Sequence, residues 1–142
     1  MDEVEQQVEG ITVSQHRKEL GIIEKLLNDS LAGFRKLGSF TPSQDNEREF
    51  ALLLLATRSF NSTRWAYALL KQGYYSQALM LIRSVDEDWL TAADCQGNKA
   101  TVDAVLKGKG ELGKGKLTYT EMAKRVSEKF AEDVWKQNYG QL

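Results

Sequence analysis

The chain has 142 residues with 19 basic and 20 acidic side chains, so its formal charge of -1 supplies no global field toward nucleic acid or anionic lipid. That length is one domain's worth and can bury roughly 70% of the surface exposed by the unfolded chain. The single cysteine, Cys95, excludes an intrachain disulfide and fits a reducing compartment. The longest apolar run, 50–56, falls far short of the ~20 residues that span a bilayer. The opening Met1-Asp2-Glu3-Val4-Glu5 is acidic where a secretory signal is basic and then apolar. A cytoplasmic protein with no membrane segment is expected.

Proline occurs once, at position 42, and strand-like alternation is scarce, which predicts long uninterrupted helices. Residues 1–12 are mostly polar and are expected to form a frayed lead-in. Over 14–37, Leu20, Ile23, Leu27, Leu31 and Phe34 recur at spacings of three and four and define one helix face. Gly21 and Gly33 interrupt this helix, either weakening it or allowing a neighbour to approach closely. After a connection at 38–41, Thr41 is a candidate N-cap and Pro42 a first-turn residue, with Asp45, Glu47 and Glu49 near the positive end of the helix dipole. This second helix should run to Gln72 with Phe50, Leu54, Trp65 and Ala68 toward the core and Ala51, Leu55 and Leu69 beside them.

Gly73 stops the second helix, and Ser76 is positioned to cap a third whose Ala78, Ile82, Val85, Trp89 and Ala93 form a core-directed stripe. Gly97 and Asn98 end it, and one or two further turns follow over 98–106. The stretch KGKGELGKGK at 107–116 is too rich in glycine and too poor in apolar residues to pack, so 107–117 is expected to be a flexible loop. Thr118 and Glu121 match the S/T-x-x-E capping box of a last helix striped by Met122, Val126, Phe130 and Val134. The expected fold is all-α, a single domain over 1–142. Its form is an up-and-down four-helix bundle with a short extra helical segment and the Gly/Lys-rich loop before the last helix.

The hairpin around Gly73 carries Arg58, Asn61 and Arg64 on one helix and Arg83, Asp86 and Glu87 on the other. Antiparallel helices bring these groups to similar levels, and Arg83 and Glu87 are four apart and able to pair. Charges close to a core must be neutralised, because an unpaired buried ion costs several kcal/mol. The six residues are therefore read either as a structural network that fixes helix register or as a polar pocket for a small anion, a nucleotide or a partner side chain. A catalytic carboxylate is disfavoured, since a raised-pKa acid needs an apolar surround without neighbouring cations.

Other chemistry is thin. Gly108, Gly110 and Gly113 satisfy G-x-G-x-x-G, but a helix rather than a strand precedes them. The Walker spacing through Lys114 places Gly115 where a magnesium-binding hydroxyl is needed. Lys107, Lys109, Lys114 and Lys116 remain candidates for loose phosphate contacts. His16 is the only histidine and lies in a polar stretch, so neither a catalytic triad nor a zinc cluster assembles around it by spacing. The Glu-x-x-His pairs of di-iron bundles are absent. Trp65, Tyr67, Tyr74, Tyr75 and Trp89 are able to stack on bases but stand at helical spacing among aliphatics, as packing residues do. No catalytic residue, metal site or cofactor is expected.

The run YALLKQGYYSQALMLIRS over 67–84, followed by Glu87, resembles the central hairpin of HEPN-like helical bundles and related bacterial families of unknown function. In those hairpins a helix ends at Gly-Tyr, an alanine lies in the first turn of the next, and Arg-Ser and a glutamate follow. The ribonucleases among them carry Arg-x(4 to 6)-His near their C-terminal end. This sequence has no histidine after position 16, so the resemblance does not imply that activity. Similar chains continue beyond a Tyr-x-x-Leu like that at 139–142 into a Ser and His, which implies a shortened form. The expected function is a non-catalytic interaction or regulatory module acting on itself as a homodimer or on another protein. The alternative is an RNA- or nucleotide-binding protein using Arg58, Arg64, Arg83 and the lysine loop.

Overall fold

The structure, a computed structural model, describes residues 3–37, 40–108 and 117–139, with side chains described through residue 132. Regular structure among these residues is helical throughout: α1 (Glu3–Gln15), α2 (Arg17–Leu37), a 3-10 turn (Gln44–Asn46), α3 (Glu47–Lys71), α4 (Tyr75–Cys95), α5 (Lys99–Lys107) and α6 (Tyr119–Tyr139). The expectation of an all-α protein is borne out. Of the lead-in expected over 1–12, the described residues 3–12 lie in α1. The chain divides into two compact units: Met1–Thr41 with Ala56–Asp86, and Pro42–Leu55 with Glu87–Leu142. Each takes one part of α3 and one part of α4. The expected loop at 107–117 falls largely on 109–116, outside the described residues.

In the first unit, α1 is anchored by polar contacts to the tip of the α3–α4 hairpin. Glu5, Val8, Glu9 and Thr12 share one helix face by their three- and four-residue spacing. Tyr74 donates its hydroxyl to Glu5, Lys71 Nζ lies 3.0 Å from Glu9 Oε1, and the hydroxyls of Thr12 and Tyr75 are 3.3 Å apart. Glu9 raises the Lys71 pKa through its hydrogen bond and its charge, against the opposing effect of burial. Hydropathy periodicity is blind to such a face. The break between α1 and α2 is confined to His16, whose N–H donates to Thr12 O at 3.0 Å while its own carbonyl accepts from Leu20 N at 2.9 Å.

The hairpin tip is a Schellman turn, as the Gly73 stop signal predicts. Tyr74 N donates to Leu69 O at 2.9 Å and Gly73 N to Leu70 O at 3.2 Å, with Gly73 at φ 84°. A Cβ at Gly73 would stand 2.5 Å from Val8 Cγ1, so this position is closed to a side chain by sterics as well as by backbone conformation. On α2, Leu20 is buried, Ile23, Leu27 and Phe34 are half-buried and Leu31 is exposed, close to the predicted face. Phe34 meets Phe60 edge to face with ring centroids 5.5 Å apart. Gly21 and Gly33 have no heavy atom within 4 Å of an added Cβ, so they are not close-approach positions.

The second unit packs Ala51, Leu55, Cys95 and Val102 as a buried cluster, with Leu52, Ala92, Val105 and Leu106 against it. The start of α3 lies later than Thr41 and Pro42 predict. Ser43 takes an extended conformation, its N–H donates to Asn46 Oδ1 at 2.7 Å, and the 3-10 turn intervenes before Glu47. Asn98 caps α5 by accepting from Ala100 N at 3.1 Å. Thr118 Oγ1 accepts from Glu121 N at 3.3 Å, so α6 begins where its capping signal predicts. Met122 is buried and Val126 half-buried, but Phe130, expected in the same stripe, is 70% exposed. The side chain of Val134 lies outside the described set.

Candidate functional site

The core faces predicted for α3 and α4 are corrected by the structure. On α3, Ala51, Leu55 and Ala66 are buried, whereas Leu54 is exposed and Trp65 is 68% exposed. On α4, Ala78 is buried and Val85 and Ala93 half-buried, but Ile82 is exposed and Trp89 is 68% exposed. The physical reason lies in the sequence of α3: Leu52, Leu53, Leu54 and Leu55 are consecutive and point to every side of the helix, so spacing alone does not select the buried face.

The polar residues of the hairpin follow that rotation. Arg58, Asn61, Arg64, Arg83, Asp86 and Glu87 are all exposed, so the neutralised cluster beneath the surface that sequence reasoning expects is not formed by them. In the first unit, the outward side of α4 carries Leu79, 66% exposed, and Met80, 73% exposed, with Ile82, Arg83 and Asp86 beside them. Aliphatic surface and charges of both signs thus occupy the same stretch of helix. Lys107, the last residue of α5, is exposed, and Lys109, Lys114 and Lys116 lie outside the described residues.

Among the described residues, a buried carboxylate paired with a cation stands in the second unit, at Asp94. Its carboxylate accepts from Thr101 Oγ1 at 2.6 Å, from Arg125 Nε at 2.9 Å, from Arg125 Nη2 at 2.7 Å and from Asn98 Nδ2 at 3.3 Å. Burial by itself would push this carboxyl up. The hydrogen bonds from Arg125 and Thr101, the Arg125 charge and the Asn98 hydrogen bond outweigh burial and hold it below its ordinary value. A bidentate guanidinium from α6 thereby clamps the C-terminal turn of α4 and the first turns of α5. Ala93, Asp94, Gly97, Asn98, Arg125 and Lys129 border a recess of about 180 Å³ beside the clamp. Asp94, Asn98 and Thr101 stand at helix-face spacing and were readable as a polar set, but nothing local in the sequence points to Arg125, 31 positions after Asp94.

The remaining chemistry-bearing side chains are placed apart. His16 borders a cavity of about 210 Å³ in the first unit with Thr12, Glu19, Leu20, Leu70 and Tyr75. Cys95 is buried in the second unit, and burial together with the Asp94 charge pushes its thiol up to about 11, away from nucleophilic use. Among the described residues, no group of three or more His, Cys, Asp or Glu side chains is arranged to hold a metal ion. No helix among them is long and apolar enough to cross a membrane. No protein-family model matches the chain, and no match was found among curated proteins or solved structures.

Proposed function

We propose that the chain is a non-catalytic helical interaction module that pairs with a second copy of itself through the outward side of α4. The observation that carries this reading is the exposure of Leu79 and Met80 beside Ile82, with Arg83 and Asp86 on the same side. Exposed apolar side chains that gather rather than scatter favour a partner. The mixed charge favours this partner in particular. When two copies of one helix pack antiparallel about a two-fold axis between positions 83 and 86, Arg83 of each lies level with Asp86 of the other. The same proposal includes a cytoplasmic setting, an up-and-down arrangement of the long helices and a HEPN-like origin of the hairpin over 67–84.

Light scattering coupled to gel filtration tests it. The wild type should run as a dimer, and Leu79→Asp/Met80→Asp as a monomer with an unchanged circular dichroism spectrum. Arg83→Asp should weaken the dimer, and Arg83→Asp/Asp86→Arg should restore it. A wild type that stays monomeric at every concentration rejects the proposal. If that monomer retained RNA on filters in a salt-dependent way, Arg58, Arg64 and Arg83 would instead be read as phosphate contacts.

A further inference from the structure

One unexplained feature of the first unit is a cavity of about 390 Å³ between α2 and α3. Ile23, Leu27 and Phe34 form the α2 wall and Phe60 the α3 wall, with the hydroxyls of Ser30 and Thr63 among them. We propose that this cavity binds a small, uncharged, hydrocarbon-rich molecule with a single polar end. The volume falls within the range of roughly 300–1,000 Å³ typical of small-ligand sites. It is too small to seat a helix, whose diameter with side chains is about 10–12 Å. Among the described residues, no Asp, Glu, Lys, Arg or His lines it, so a charged group against its walls would find no countercharge.

The hydroxyls sharpen the ligand's chemistry. Thr63 Oγ1 donates its hydrogen to Ser59 O at 2.8 Å, which leaves Thr63 only lone pairs to offer an occupant. Beside Thr63, the matching polar end of the ligand is a neutral donor, an O–H or N–H group. Its body is alkyl or aryl, matching the Leu, Ile and Phe walls. Water filling the same space faces mostly hydrocarbon, and its release on ligand entry favours binding.

N-phenyl-1-naphthylamine, a neutral aromatic amine that fluoresces in apolar surroundings, is a direct probe for the full-length chain. Binding should saturate at one molecule per chain. A neutral long-chain alcohol such as 1-decanol should displace the probe, and decanoate should do so at least tenfold less well. Ala56→Trp, which fills the cavity from the α3 side, should weaken probe binding at least tenfold. Ser30→Leu fills it from α2 and provides the same comparison should Ala56→Trp lose cooperative melting. Leu79→Asp should bind the probe like the wild type, which separates this site from the self-pairing face. Non-saturating fluorescence, equal displacement by decanoate, or wild-type affinity in a cooperatively melting cavity-filling variant would each overturn the proposal.

Discussion

Replacing Arg125 by methionine isolates the clamp on Asp94. The Asp94 side chain is only 3% exposed and that of Arg125 29%, so the carboxylate stays in place while its cation is removed. Two charge-assisted hydrogen bonds are lost, from Nε at 2.9 Å and Nη2 at 2.7 Å, and those from Thr101 and Asn98 remain. A hydrogen bond to a charged group contributes roughly 1.5–3 kcal/mol, and stripping one partner from a fully buried pair costs about 3–5 kcal/mol. Solvent reaches Arg125 and two donors still serve the carboxylate, so a loss of about 2–3 kcal/mol is expected. Urea denaturation followed by circular dichroism should show this loss at neutral pH. Asp94→Asn/Arg125→Met should be less destabilised than the two single variants combined, by at least about 1 kcal/mol. Additivity within roughly 0.5 kcal/mol would refute the claim that this pair couples α4 to α6.

Acid titration gives the same clamp a second readout. The Asp94 carboxyl is held below its ordinary value of 3.8, so its contribution is fully present above that pH and is lost as pH falls through the lower folded value. In Arg125→Met, burial is less opposed and the folded value of Asp94 rises toward the unfolded one, so the part of the acid loss of stability that this carboxyl supplies should shrink relative to the wild type. Gly73→Ala should cost at least about 1–2 kcal/mol, the penalty of a left-handed backbone for a residue with a Cβ. The added Cβ also meets Val8 Cγ1 at 2.5 Å, so Val8→Ala should recover part of that loss in thermal melts, and no recovery would discount the contact. Cys95, buried and raised to about 11, should react with a disulfide reagent at mildly alkaline pH only as fast as the second unit opens. Rapid, complete labelling of the native chain would contradict its burial.

Local signals with a specific backbone consequence were legible in the sequence. Gly73 ends α3 in a Schellman turn and Thr118 caps α6, each within a residue or two of where its chemistry places it. Proline scarcity and the three- and four-residue spacings carry the all-helical class. The faces of α3 and α4 were less legible, because the leucines at 52–55 surround the helix and Trp65 and Trp89 have no local mark that sets them outside. Helix α1 escapes periodicity for the opposite reason: its inward face is Glu5, Glu9 and Thr12, which composition reads as solvated chain. The Asp94 clamp required a partner far along the sequence, and tertiary pairing of that kind leaves no periodic trace. Helix spacing sets the hairpin charges near the expected stripe, and the rotation that exposes Trp65 exposes them too.

The contacts of Glu5, Val8, Glu9 and Thr12 with Tyr74, Gly73, Lys71 and Tyr75 make the amino-terminal helix a clasp over the bend between α3 and α4. A trypsin cut after Arg17 would unfasten that clasp while leaving the bend's own backbone bonds intact. The amide hydrogens around Leu70 to Tyr74 would then exchange with solvent faster, although none of the residues in the bend had been altered.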